Sequence, residues 1–238
     1  MQQKPAFDRL VYLQMENTLD HGEASFYLMG ERAAVVHAMP PATLSCQRRI
    51  WWLADVLRRR QHYLDIVPGM NNLTVVFDPL RCDGDALLAE LAGLWQQADS
   101  AVLEPRRVEI PVHYGGDAGP DLAEVSRHSG LSEDEVIATH SGADYVVFFL
   151  GFQPGFAYMG GLPEQLATPR RAEPRLSVPA GSVGIGGSQT GIYPAASPGG
   201  WQLIGRSDTP LFDPQRAQPS LLLPGDSVRF VPQGAHHA

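Results

Sequence analysis

From Tyr145 onward the chain is a succession of short runs rich in valine, isoleucine, phenylalanine and tyrosine, each cut off within a few residues by glycine or proline. A helix needs a longer unbroken periodic stretch, so punctuation at this density leaves strands and turns. Many short strands in series satisfy their edges best by closing on themselves, and the segment predicts a closed or nearly closed barrel. The 24 glycines and 20 prolines follow no fixed period, which fits tight turns and excludes a collagen-like repeat.

The first half has a different rhythm. Residues 26–28 and 33–36 read as a hairpin around Gly30. Leu44, Ile50, Leu53, Ala54 and Leu57 then recur at three-to-four spacing behind a cap at Thr43 or Ser45, and Arg58-Arg59-Arg60 suits the helix end. Two β-rich runs, 63–67 and 73–77, flank the turn Pro68-Gly69-Met70-Asn71-Asn72. A second helix, capped by Asp83 or Asp85, carries Leu87, Leu88, Leu91 and Trp95. The order β, β, α, β, β, α predicts an α+β layer, a small α/β sandwich with both helices on one face of the sheet. Beyond it, 107–114 reads as a strand, and two short helices start from Asp121 and from Ser132, the latter with a Ser132/Glu135 capping box. The expected organisation is an extension over 1–23, with a candidate strand at 10–13, an N-terminal α+β domain over 24–105 and a β-barrel domain over 106–238.

Charge and composition exclude several functions. A net charge of −8, with arginines scattered among acids, argues against a nucleic-acid partner. No apolar stretch approaches the length of a membrane span or a secretory leader, so a cytoplasmic location is expected. Cys46 and Cys82 are too few for a disulfide framework or a thiolate metal site, and no metal site is expected. Of the 18 basic side chains Lys4 is the only lysine. A biotin attachment site, a P-loop, a Ser-Ser-Lys amidase and a Schiff-base enzyme each need a lysine that the core lacks.

Two stretches carry candidate chemistry. One runs from His140 through Phe149-Leu150-Gly151-Phe152-Gln153-Pro154-Gly155-Phe156-Ala157-Tyr158. The other runs from Pro179 through Gly184-Ile185-Gly186-Gly187-Ser188-Gln189 to Tyr193-Pro194 and on to Pro198-Gly199-Gly200-Trp201. Glycine at this density inside strands sacrifices packing, so something comes close to the backbone there, or the glycines turn barrel corners. A wall of free N–H groups, with Ser182, Ser188, Gln189 and Tyr193 as side-chain donors and acceptors, suits a carboxylate or an amide carbonyl. The pattern is no dinucleotide loop, since position 189 is glutamine, and no Gly-x-Ser-x-Gly elbow or His-Glu-x-x-His helix occurs. His140, read as lying before a Ser-Gly turn at the start of a strand, is the candidate proton carrier.

Residues 149–158, Pro169-Arg170-Arg171-Ala172-Glu173-Pro174-Arg175, residues 178–194 and Pro198-Gly199-Gly200-Trp201 resemble the signature of the family that contains the B subunit of 5-oxoprolinase, the sporulation-kinase inhibitor of bacilli and allophanate hydrolase subunit 1. The resemblance extends from about Ala24 to Pro232, and the 66–72 run resembles the 5-oxoprolinase branch. It implies a cyclophilin-like barrel and a component that works with partner C and A subunits, with ATP and Mg²⁺ used by the complex, to open 5-oxo-L-proline to glutamate. The alternatives are an inhibitor of a sensor histidine kinase and a subunit of an allophanate- or urea-type amide hydrolase. The site expected on this basis has His140 and Gln189 as catalytic groups. Gln153, Arg175, Ser182, Gly187 and Tyr193 would hold substrate, with Arg175 taking its carboxylate. Phe152, Phe156 and Trp201 would line the pocket or anchor a partner.

Overall fold

Two units make up the chain, Met1–Val102 and Leu103–Ala238. The computed structural model describes residues 19–20, 23–98 and 105–234. The candidate strand at 10–13 and Lys4 lie outside them.

The first unit is an antiparallel sheet of β1 (Leu19–Asp20), β2 (Ala24–Leu28), β3 (Ala33–Ala38), β4 (Asp65–Pro68) and β5 (Asn72–Val76), in the order β1-β2-β3-β5-β4. Helices α1 (Leu44–Arg59) and α2 (Gly84–Gln97) share one core with it, where Ile50, Leu53 and Leu57 meet Phe26, Val36, Leu73, Leu88 and Trp95. Thr43 rather than Ser45 caps α1, and Asp83 rather than Asp85 caps α2. The turn before β5 is held from α1. The buried Gln47 donates from Nε2 to the Gly69 carbonyl and accepts from the Asn71 N–H at its Oε1, which fixes Asn71 at a φ of 56°.

The second unit contains the barrel that the glycine and proline punctuation predicts. Its strands are β6 (Arg107–Tyr114), β7 (Tyr145–Leu150), β8 (Ala157–Gly160), β10 (Ser182–Gly186), β11 (Gln189–Ile192), β13 (Gln202–Arg206) and β14 (Ser227–Pro232). They close in the order β10-β11-β8-β7-β14-β6-β13. β14 runs parallel to β6, and every other pairing around the barrel is antiparallel. Helices α3 (Leu122–Ser129) and α4 (Glu133–Gly142) lie between β6 and β7 in the chain. A separate two-stranded arm pairs β9 (Arg175–Val178) with β12 (Ser197–Gly199).

Alternation along the strands sorts the side chains. Tyr145, Val147, Met159, Val183, Ile185, Ile192, Ile204 and Phe230 fill the barrel together with Leu122, Val125, Val136 and Ile137 of the helices. The opposite face of β8, β10, β11 and β13 carries a second, smaller cluster of Phe156, Val178, Tyr193, Trp201 and Leu203, with Tyr158 packed against it. An irregularity in β7 between Val147 and Phe149 shifts the pairing by one residue, so Phe149 stacks on Tyr158, ring centres 4.4 Å apart, instead of pointing inward.

Candidate functional site

Helix α4 continues through His140, so the histidine is not at a strand start as the sequence predicts. It is fully buried and lies against Phe230, with ring centres 4.6 Å apart. Its Nε2 is 3.0 Å from Thr190 Oγ1 and its Nδ1 2.8 Å from the Tyr114 hydroxyl. The Thr190 hydroxyl donates to the Gly184 carbonyl, so it accepts from His140, which places the ring proton on Nε2. Nδ1 then accepts from Tyr114 O–H. Burial lowers the His140 pKa to about 3. A neutral, doubly bonded, enclosed imidazole pins α4 to β11 and β6; it is not a proton carrier open to substrate.

Gln189 is separated from His140 by the same strand. Thr190 and Ile192 face the barrel interior, so Gln189 and Gly191 project from the outer face. The expectation that the two catalytic candidates converge on one pocket is therefore corrected: they lie on opposite faces of β11.

What approaches the glycine-rich backbone is Trp201. A β-carbon on Gly186 would stand 2.4 Å from the indole Nε1, one on Gly184 3.2 Å from the Trp201 β-carbon, and one on Gly191 3.1 Å from Cζ3. Gly186 and Gly191 thus form a floor under the indole, and Gly184 receives the Trp201 β-carbon. Trp201 is only 4% exposed, and so is part of the wall rather than an open anchor. Phe156, Tyr158 and Tyr193 surround it edge-on. Burial raises the Tyr193 pKa, opposed by a hydrogen bond with the Trp201 backbone and by the Arg170 and Arg175 charges. Phe152 meets this cluster through Phe156 and Tyr193, yet it is 61% exposed and held at a φ of 67°, which strains a phenylalanine.

The remaining candidates are distributed around this face. Ser182 is buried at the start of β10. Gly187 forms the β10–β11 turn at a φ of 64° and donates to the Thr168 carbonyl. Gln153 reaches the Ala195 carbonyl from an exposed loop, with Nε2 at 3.3 Å.

Arg175 enters a polar hub centred on a residue the sequence disguises. Asp121 precedes α3 and reads as its cap, but makes no side-chain capping bond. Its Oδ1 accepts from Arg175 Nη2 at 2.7 Å and from Arg171 Nη1 at 3.2 Å, while Oδ2 accepts from the Leu203 N–H at 2.7 Å. One buried carboxylate thus fixes two arginines of the 169–175 run against β13. Arg175 Nη1 is buried without a partner.

Beside the hub a strap, 168–171, is tied down by Gly187 N–H to Thr168 C=O, by Gln202 Nε2 to Pro169 C=O at 3.0 Å, and by Arg171 N–H to Gly200 C=O. It borders a cavity of about 500 Å³ whose lining includes His128, Arg170, Arg171 and Gln202. Among the described residues no group of three or more His, Cys, Asp or Glu side chains could hold a metal ion, and no helix is long and apolar enough to cross a membrane.

Residues 24–222 match the family model described as carboxyltransferase domain, subdomain C and D. The chain is 58% identical to the 5-oxoprolinase B subunit of Escherichia coli O157:H7 over 211 residues, covering 88% of this chain and 96% of that one. It is 44% identical to the 5-oxoprolinase B subunit of Bacillus subtilis over 71% of this chain and 75% of that one. Among solved structures, TTHA0988 is 40% identical with a TM-score of 0.75; the match covers 86% of this chain but 40% of the longer TTHA0988. The Kluyveromyces lactis urea carboxylase, 21% identical with a TM-score of 0.72 over 92% of this chain and 23% of its own, shares the fold.

Proposed function

The chain belongs to the family of the 5-oxoprolinase B subunit, and we propose that it is the B component of an ATP-dependent assembly that opens 5-oxo-L-proline to glutamate. The observation that carries this reading is 58% identity across 96% of a protein bearing that name. The urea-type alternative rests on likeness of fold alone.

The residues present fit a share in such chemistry rather than the whole of it. A lactam carbonyl is a poor electrophile, and a phosphoryl group transferred to its oxygen from ATP makes the ring carbon open to water. The chain's own contribution is recognition. Arg170, Arg171 and Arg175 supply guanidinium groups for the substrate carboxylate, and Asp121 holds two of them in place. The described residues contain no lysine to clamp the β- and γ-phosphates, so ATP and Mg²⁺ are assigned to the assembly with the C and A subunits. The exposed Phe152 loop is the anchor for a partner subunit.

Reconstitution tests this reading. Glutamate release from 5-oxoproline and ATP is expected from this chain with the C and A subunits, and not from the chain alone. Turnover by the lone chain would remove the need for partners, and no turnover by the full mixture would defeat the assignment. Calorimetry should find no micromolar binding of ATP with Mg²⁺ to the isolated chain.

A further inference from the structure

The Gln202 amide is almost fully buried, and its orientation is fixed. Nε2 donates to the Pro169 carbonyl, and turning the amide over would set two oxygens against each other. Oε1 is left buried with no hydrogen-bond partner. An acceptor withheld from both water and protein costs about 1–3 kcal/mol, a cost that a ligand donor would remove. Gln202 lines the cavity between α3 and the strap, and the exposed side chains of Arg170 and Arg171 line it as well. Arg171 shares Asp121 with Arg175, while Arg170 has its guanidinium 5.8 Å from the centre of the Trp201 ring. Two guanidinium groups, the carboxylates of Glu124 and Glu173 and one fixed neutral acceptor therefore border the same space.

From this juxtaposition, and resting on the function proposed above, we infer that the strap cavity is the cradle for the substrate ring, with Gln202 Oε1 accepting the lactam N–H and Arg170 and Arg171 taking the adjacent carboxylate. Oε1 is buried and has no donor among the protein's own groups, so the lactam N–H supplies the one it lacks. The selected ligand is a small acid with an N–H donor next to its carboxylate-bearing carbon. A lactone of the same shape sets a ring oxygen against Oε1 and is rejected, because it leaves the acceptor unpaired and adds a second one facing it. Gln202 is then a specificity residue, distinct from the hub that fixes the arginines.

The test compares binding of 5-oxo-L-proline and of its lactone counterpart, 5-oxotetrahydrofuran-2-carboxylate, to the full chain by calorimetry or by NMR of the glutamine side-chain amides. The lactam is expected to bind at least about tenfold more tightly than the lactone, and to move the Gln202 amide resonances. In Gln202→Met the preference should fall to within about threefold, the residue of shape alone. Equal binding of the two ligands, no binding of the lactam, or a preference kept in Gln202→Met would each overturn the cradle. The first two comparisons need no variant, so misfolding of Gln202→Met cannot hide a failure. Turnover by the reconstituted assembly is read separately. Turnover without lactam preference sinks the cradle alone, and lactam preference without turnover supports the cradle while sinking the proposed reaction.

Discussion

The indole of Trp201 lies on the backbone of Gly186 so closely that a β-carbon there would be 2.4 Å from Nε1 and 2.5 Å from Cε2. Gly186→Ala therefore forces the ring off its floor and is expected to cost about 1–3 kcal/mol. Gly93, inside α2 with open space around it, supplies the contrast. Gly93→Ala should stabilise the first unit by about 0.5–1 kcal/mol. Denaturant melts of the two variants check both signs.

His140 predicts a pH dependence of stability. Its folded pKa, about 3, lies below the ordinary histidine value of 6.5. The unfolded chain therefore binds the extra proton first as pH falls, and the contribution to stability, full above 6.5, is lost progressively toward 3. Stability of His140→Gln should be lower than that of the parent at pH 7, with a smaller further loss between pH 6.5 and 4. An equal slope in parent and variant would assign the acid sensitivity to carboxylates instead.

Asp121→Asn keeps an acceptor for the Leu203 N–H but removes the charge between Arg171 and Arg175. The carboxylate is buried and the guanidinium groups are partly exposed, so a loss of about 2–3 kcal/mol is expected, below the range for a fully buried pair. Hydrogen exchange should quicken at Arg171 and in β9 while the β6–β14 ladder keeps its protection. In the reconstituted assembly the same variant is expected to raise the KM for 5-oxoproline more than it lowers kcat.

Phe152→Gly relieves a left-handed backbone at the cost of two edge contacts with Phe156 and Tyr193. Stability of the lone chain should change by less than about 1 kcal/mol. Affinity for a partner subunit should drop about tenfold or more if this ring is the anchor. Unchanged affinity in a sedimentation or interferometry titration would move the partner surface elsewhere.

Local signals carry the first unit: the period of Ile50, Leu53 and Leu57, the Asp83 cap and the Pro68–Asn72 turn all act over a few residues. Glycine and proline spacing is enough for the barrel. The site is less legible because its decisive contacts are long-range. Asp121 and Arg175 are 54 positions apart, and the carboxylate sits where a helix cap is expected. His140 falls away from the expected strand start because α4 runs on through the Ser-Gly pair to Gly142. The density of glycine between Gly184 and Gly191 reads as access for a ligand, whereas a tryptophan ten or more residues downstream fills that space. Gln202 carries no sequence signal at all, since only the fold reveals an acceptor left without a donor.

The parallel pairing of β14 with β6 has a consequence in time. Arg106 and Asp226, linked at the head of this ladder, are separated by 120 residues. The first unit builds its sheet largely from neighbouring hairpins, but the barrel cannot close until β14 inserts between β6 and β7. Loop-closure entropy must be overcome before that strand is rewarded. During synthesis and after dilution from denaturant, the sheet of the first unit should therefore be complete while the barrel still presents two unpaired edges, which makes this interval the period of greatest exposure to aggregation and to proteolysis.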